Sequence, residues 1–200
     1  MRILAALCIA AAAHAASASS VRVAVQDSSG KPLANAVVFL ESPEARQAVK
    51  PAQAVEVVQQ ARQFAPAVSV VPRGTLVQFP NRDTVRHHVY SFSAAKKFEL
   101  KLYGGTSASP VLFDVPGVVV LGCNIHDDMV AWLLVVDTPY YGLTSQDGTL
   151  VLDKVPAGNY RLRAWHSSLP VGAPVHEQAQ TLLELGSGAV VTVRMGDAKP

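Results

Sequence analysis

One stretch of the chain gathers residue types able to do chemistry, Leu121-Gly122-Cys123-Asn124-Ile125-His126-Asp127-Asp128-Met129. A thiol, an imidazole and a thioether follow one another at three-residue spacing between two apolar runs. Thiolate and thioether are soft ligands and imidazole is borderline, a set that suits a copper ion alternating between Cu(I) and Cu(II). Three donors from one short loop cannot enclose a metal. The segment Arg86-His87-His88-Val89-Tyr90, about 35 residues upstream, offers one more imidazole. Adjacent strand residues point to opposite faces, so His87 or His88 can join the cluster but not both.

Other chemistries fit the same residues less well. Zinc accepts a cysteine and two histidines, but a thioether is a poor zinc ligand and a harder fourth donor is needed. A Cys–His nucleophile pair needs an orienting group and an oxyanion site, and no motif marks either. A trigonal Cys-His-His plane with a long axial Met is instead the arrangement of a blue-copper electron-transfer site. The bland reading of each residue alone is packing or surface. The joint pattern is far more specific than its parts.

The elements that must position these donors read as strands. Val21, Val23 and Val25 alternate with polar or small residues, and Ala36 to Leu40 is a second apolar run. Residues 41 to 52 read as a linker. Val55 to Val58, Val68 to Val71, Thr75 to Phe79 and His88 to Phe92 follow, separated by Pro- and Gly-containing turns such as Pro72-Arg73-Gly74. Ser93 to Val111 reads as a loop with Lys96, Lys97 and Lys101 on a solvated face, and Val118 to Leu121 and Val130 to Val136 bracket the Cys loop. Further strands are expected at Leu150 to Leu152, Tyr160 to Trp165 and Val190 to Val193. Short strands punctuated this way indicate an all-β sandwich architecture.

Composition bounds the partners. Half of the 200 residues are hydrophobic and 16% charged, enough for a packed core. A formal net charge of +2 implies neither a nucleic-acid nor an anionic-membrane partner. Arg2 followed by the apolar run Ile3 to Ala13 and small residues reads as a secretory signal over residues 1–18, too short to span a bilayer. Removing it takes Cys8 away and leaves Cys123 as the only thiol, so no internal disulfide can form. The expected location is the periplasm.

Two segments carry a family resemblance. Val77-Gln78-Phe79-Pro80-Asn81-Arg82-Asp83-Thr84-Val85-Arg86-His87-His88-Val89 resembles the plastocyanin segment around its first copper histidine. Leu121 to Val135 resembles the second cupredoxin motif, and the two residues between His126 and Met129 match the shorter, amicyanin-like spacing. The resemblance covers roughly residues 53 to 137. It implies a Greek-key cupredoxin β-sandwich with one type 1 copper, and it puts His87, Cys123, His126 and Met129 in the ligand positions. His88 stands where the family usually carries Asn. By the same resemblance the chain is an electron carrier rather than an enzyme, and a redox partner protein docks near His126, where Asp127 and Asp128 favour a basic surface. A copper-delivery or protein-docking role is the competing class.

Val21 to Leu40 and Thr144 to Leu162 resemble the two halves of a carboxypeptidase regulatory-like or transthyretin-like module. The expected organisation is residues 19–44 and 138–200 forming one small β-sandwich around an inserted cupredoxin domain, residues 45–137. Such modules bind or brace, so a structural or docking role is expected. Trp165, His166 and His176 are read as packing or surface residues.

Overall fold

A computed structural model describes residues 18–105, 109–183 and 190–196, so all but the last residue of the expected leader lies outside the described residues. The chain opens with β1 (Ala18–Gln26) and β2 (Val37–Glu41). A short helix follows, α1 (Pro43–Gln47), where an open linker was expected. Ser42 caps it by accepting a 3.1 Å hydrogen bond from the Ala45 amide, and Pro43 fits its first turn because no amide is needed there.

Among the described residues, ten strands form the middle of the chain. They are β3 (Val55–Glu56), β4 (Val58–Gln60), β5 (Gln63–Ala65), β6 (Val68–Pro72), β7 (Thr75–Gln78), β8 (His87–Ser93), β9 (Lys96–Tyr103), β10 (Val111–Phe113), β11 (Gly117–Gly122) and β12 (Val130–Val136). The end of the chain supplies β13 (Tyr141–Leu143), β14 (Thr149–Pro156), β15 (Gly158–Trp165), β16 (His176–Leu182) and β17 (Val190–Arg194).

Strand pairing divides these elements into two sandwiches. In the middle one, a five-stranded sheet ordered β6-β12-β11-β8-β9 faces a three-stranded sheet β10-β7-β3, with the β4–β5 hairpin at its side. This is a two-sheet β-sandwich, the all-β architecture expected from the sequence. The second sandwich joins both ends of the chain, through sheets β14-β1-β17 and β13-β2-β15-β16. Each has its own core. Phe79, Phe113, Leu121 and Leu133 are fully buried in the first, and Val23, Val25, Leu40 and Leu162 in the second.

A third buried cluster lies where the two sandwiches meet: Val37, Phe39, Val68, Leu134, Val136 and Trp165. The uninterrupted apolar runs explain it. In β2, Val38 and Leu40 turn into their own core while Val37 and Phe39 turn to the other sandwich. In β12, Ala131, Leu133 and Val135 face the inner core while Leu134 and Val136 face outward to meet them. A strand covered on both faces has no reason to alternate with polar residues. Asp137, at the end of β12, receives Arg46 and Arg73 at 2.8 Å each, which ties the linker helix to the middle sandwich.

Two segments depart from expectation. Ser93 to Val111 holds the eight-residue strand β9, not a loop. Lys97 and Glu99 point to solvent on this sheet edge while Phe98, Leu100 and Tyr103 pack on the core. Charged outward side chains are a common protection of an edge strand, which is why the lysines looked like a loop. His176–Leu182 also forms an edge strand, paired with β15 through contacts such as Leu162 with Gln178. Its outward residues are too polar for the pattern to stand out.

Candidate metal centre

The Cys loop is held at both ends by β structure. Gly122 pairs with Val130 across β11 and β12, so Cys123 to Met129 must close on itself. The Met129 amide donates to the His126 carbonyl at 3.0 Å, and the Val130 amide donates to the Asp128 carbonyl at 3.1 Å. Gly122 is required by its neighbour, because a Cβ there would stand 2.8 Å from Tyr90 Cζ and 2.9 Å from its hydroxyl. Its absence lets β8 approach β11 beside the cysteine.

On β8 the pairing with β9 is irregular between His87, opposite Tyr103, and Val89, opposite Leu100. Such a bulge re-aims side chains and bends the strand. His87 is thereby completely buried with its ring turned to the Cys loop. His88 turns away. Its Nε2 lies 3.0 Å from Glu99 Oε1, close enough for an ion pair when protonated but misaligned for a hydrogen bond, and its ring sits 5.8 Å from that of Tyr90.

Three donors converge. His87 Nδ1 and His126 Nδ1 each stand 3.9 Å from Cys123 Sγ, and donor atoms of all three residues lie within 4.8 Å of one another. The imidazole rings are 5.0 Å apart and tilted by 58°. Cys123 is buried and His126 only partly so, while Asp127, Asp128 and Ile125 beside it are exposed. Met129 is fully buried in the same core cluster as Cys123. Nitrogen and sulfur donors about 2.0–2.3 Å from a shared ion, spread at angles near a tetrahedral or trigonal value, stand roughly 3.5–3.8 Å apart. The observed spacing fits a single transition-metal ion with little rearrangement.

A layer of hydrogen bonds backs His87. Its Nε2 meets Asp83 Oδ2 at 2.7 Å. Asp83 also accepts from the amides of Ala61, at 2.7 Å, and Arg62, at 2.9 Å. The Arg62 amide, more than the His87 contact, holds the Asp83 carboxyl below the usual carboxylate range. Asn81, nearly buried, accepts from the Asp83 amide and donates to the carbonyls of Val85 and Tyr103, each at 2.9 Å. Behind it, the Tyr103 hydroxyl donates to the Phe79 carbonyl and accepts from Gln59 Nε2 at 2.6 Å. Burial pushes the Tyr103 phenol up to about 12.

Of the four expected ligands, His87, Cys123 and His126 come together, and the layer behind them leaves little trace in the sequence. Asn81 and Asp83 look like ordinary turn formers, and their one signal was that Asp83 stands four residues before His87. Gln59 and Tyr103 carry no local signal, because they sit in different sheets and meet only in the folded sandwich. His166, read as packing or surface, lies on the second sandwich with its Nδ1 2.7 Å from Ser168 Oγ and its Nε2 3.1 Å from the Ala34 carbonyl. Burial holds its pKa below the ordinary histidine value. Among the described residues His87, Cys123 and His126 are the one group of three or more His, Cys, Asp or Glu with metal-ligand spacing.

No protein-family model matches the chain, and no curated protein does. Among solved structures, the chain is similar to a novel purple cupredoxin from Nitrosopumilus maritimus, at 21% identity and TM-score 0.36, over 41% of this chain and 99% of that one. It is similar to a proline-to-glycine mutant of amicyanin in its reduced Cu(I) form, at 20% identity and TM-score 0.38, over 50% of this chain and 98% of that one. It is also similar to the Cu-containing nitrite reductase from Thermus scotoductus SA-01, at 23% identity and TM-score 0.39 over 56% of this chain, although it spans only 28% of that enzyme.

Proposed function

We propose that the chain is a secreted, periplasmic carrier of single electrons, with one type 1 copper ion held by His87, Cys123, His126 and Met129. The observation that carries the reading is the meeting of two imidazole Nδ1 atoms on one buried thiol, each at 3.9 Å. Copper held by these residues would supply a Cu(II)/Cu(I) couple, suited to accepting one electron from a reduced protein partner and passing it to an oxidised one.

The residues divide the work. His87 and Cys123 lie in a dry core, so their positions are set before any metal arrives. Met129, also buried, would offer a soft thioether donor that raises preference for the reduced ion. Four protein donors leave no position for a substrate, which argues for a carrier rather than an enzyme. His126, half-exposed beside Ile125, is the side on which a partner docks, and Asp127 with Asp128 favours a basic partner surface. The module built from both chain ends, which resembles the carboxypeptidase regulatory-like type, braces the inserted domain of residues 45–137 or docks a second protein.

Adding Cu(II) to the purified mature protein tests the reading. An intense blue thiolate-to-copper band, bleached by ascorbate and restored by oxidation, is expected, and Cys123→Ser should abolish it. No band, or tight binding of Cu(I) alone, refutes the carrier and leaves copper delivery.

A further inference from the structure

We infer that Asp83 is a positioning residue for the metal centre: its carboxylate holds His87 as the Nε2–H tautomer and places an uncompensated negative charge behind that ligand. The inference rests on the copper reading for its effect on potential, though not for the tautomer.

Both nitrogens of the His87 ring are committed. Nδ1 faces Cys123 Sγ, and Nε2 faces Asp83 Oδ2 at 2.7 Å. A carboxylate only accepts hydrogen bonds, so the hydrogen must sit on Nε2, and the Nδ1 lone pair is left pointing at the other donors. A ring with no exposure to water has no alternative partner to trade for this one. Outer contacts of this kind fix ring orientation and raise ligand basicity in metal sites generally.

The carboxylate is itself built in. Ala61 and Arg62, the turn between β4 and β5, adopt φ values of 54° and 57° although neither is glycine. Left-handed backbone is unfavourable for an L-residue, because Cβ crowds the following carbonyl oxygen. In return the two amides aim together at Asp83, forming a concave anion cradle. Three N–H groups thus converge on two oxygens. Strain kept at such a place is the kind the surrounding structure must over-determine. Among the described residues, the only basic side chain within ion-pair distance of Asp83 is His87 itself. The charge is therefore felt at the ligand and favours the more positive oxidation state.

Two variants separate charge from geometry. Asp83→Asn keeps an oxygen able to accept from Nε2 but loses the charge, and Asp83→Ala loses both. In the metal-free wild-type protein, nitrogen-15 imidazole shifts should show His87 as the Nε2–H tautomer, and Asp83→Ala should populate both tautomers. In the copper-loaded protein, Asp83→Asn should shift the balance toward the reduced form by about tenfold or more, a rise of about 59 mV for one electron. Asp83→Glu should restore the potential to within about twofold, roughly 20 mV. A wild-type His87 carrying its hydrogen on Nδ1, or an Asp83→Asn potential unchanged within that margin, overturns the inference. If the metal-free tautomer is as stated but copper does not bind, the carrier reading fails and the positioning role stands.

Discussion

Tyr103→Phe should weaken the fold at neutral pH and also remove part of its alkaline sensitivity. The hydroxyl makes two contacts in the network behind His87, donating to the Phe79 carbonyl and accepting from Gln59 Nε2. Removing it strands neither partner, because Gln59 Nε2 also donates to the Phe79 carbonyl at 3.0 Å. The loss is that of two ordinary hydrogen bonds, about 1–2 kcal/mol. The pH dependence has a definite sign. Burial raises the folded phenol to about 12, against about 10 in an unfolded chain. Because the folded value is the higher one, the contribution is complete below about pH 10 and is lost as pH climbs towards 12. Unscreened, such a two-unit shift corresponds to about 2.7 kcal/mol, and partial exposure of the ring reduces it to about 1–2. Wild type should therefore exceed the variant by about 1–2 kcal/mol at pH 7, with the two converging near pH 11–12. Urea unfolding of the metal-free proteins across that range measures both quantities, and titrations common to the two proteins cancel. A gap that stays constant with pH, or no gap at pH 7, refutes the reasoning.

Two further substitutions probe the second sandwich. Gly148 sits at φ +74°, and a Cβ there would lie 2.7 Å from the Val25 carbonyl oxygen and 2.9 Å from Pro32 Cβ. Left-handed strain and a backbone clash together make Gly148→Ala destabilising by about 2–4 kcal/mol, read by urea unfolding, and a loss under about 1 would contradict the geometry. Trp165→Ala should cost about 3–5 kcal/mol in thermal unfolding, since this ring is almost fully buried between the sandwiches and lies 6.2 Å from Trp132.

Much of the molecule is written locally in the chain. The Val21-Val23-Val25 alternation is a strand with one covered face, and those valines are buried in β1. The apolar runs at Ala36–Leu40 and Ala131–Val136 mark strands covered on both faces. What the runs do not say is what covers the second face. The strand of Lys96–Tyr103 does not stand out in the sequence, because an edge strand presents a polar face and its inward residues are separated by lysines and a glutamate. Pairings such as β1 with β14 join residues more than a hundred positions apart, and no local pattern encodes a hydrogen-bond partner at that distance.

For the site, the sequence by itself determined the donor types, their three-residue spacing and the loop they sit on, because ligand chemistry belongs to side chains and spacing to the chain. Tertiary structure decided which of two adjacent histidines meets the thiol. A bulge on β8 turns His87 inward and sends His88 to Glu99, and a bulge arises from pairing with β9 rather than from β8 alone. It also brought the Ala61–Arg62 turn onto Asp83 and Asp83 onto His87, contacts that exist only once separate strands are stacked.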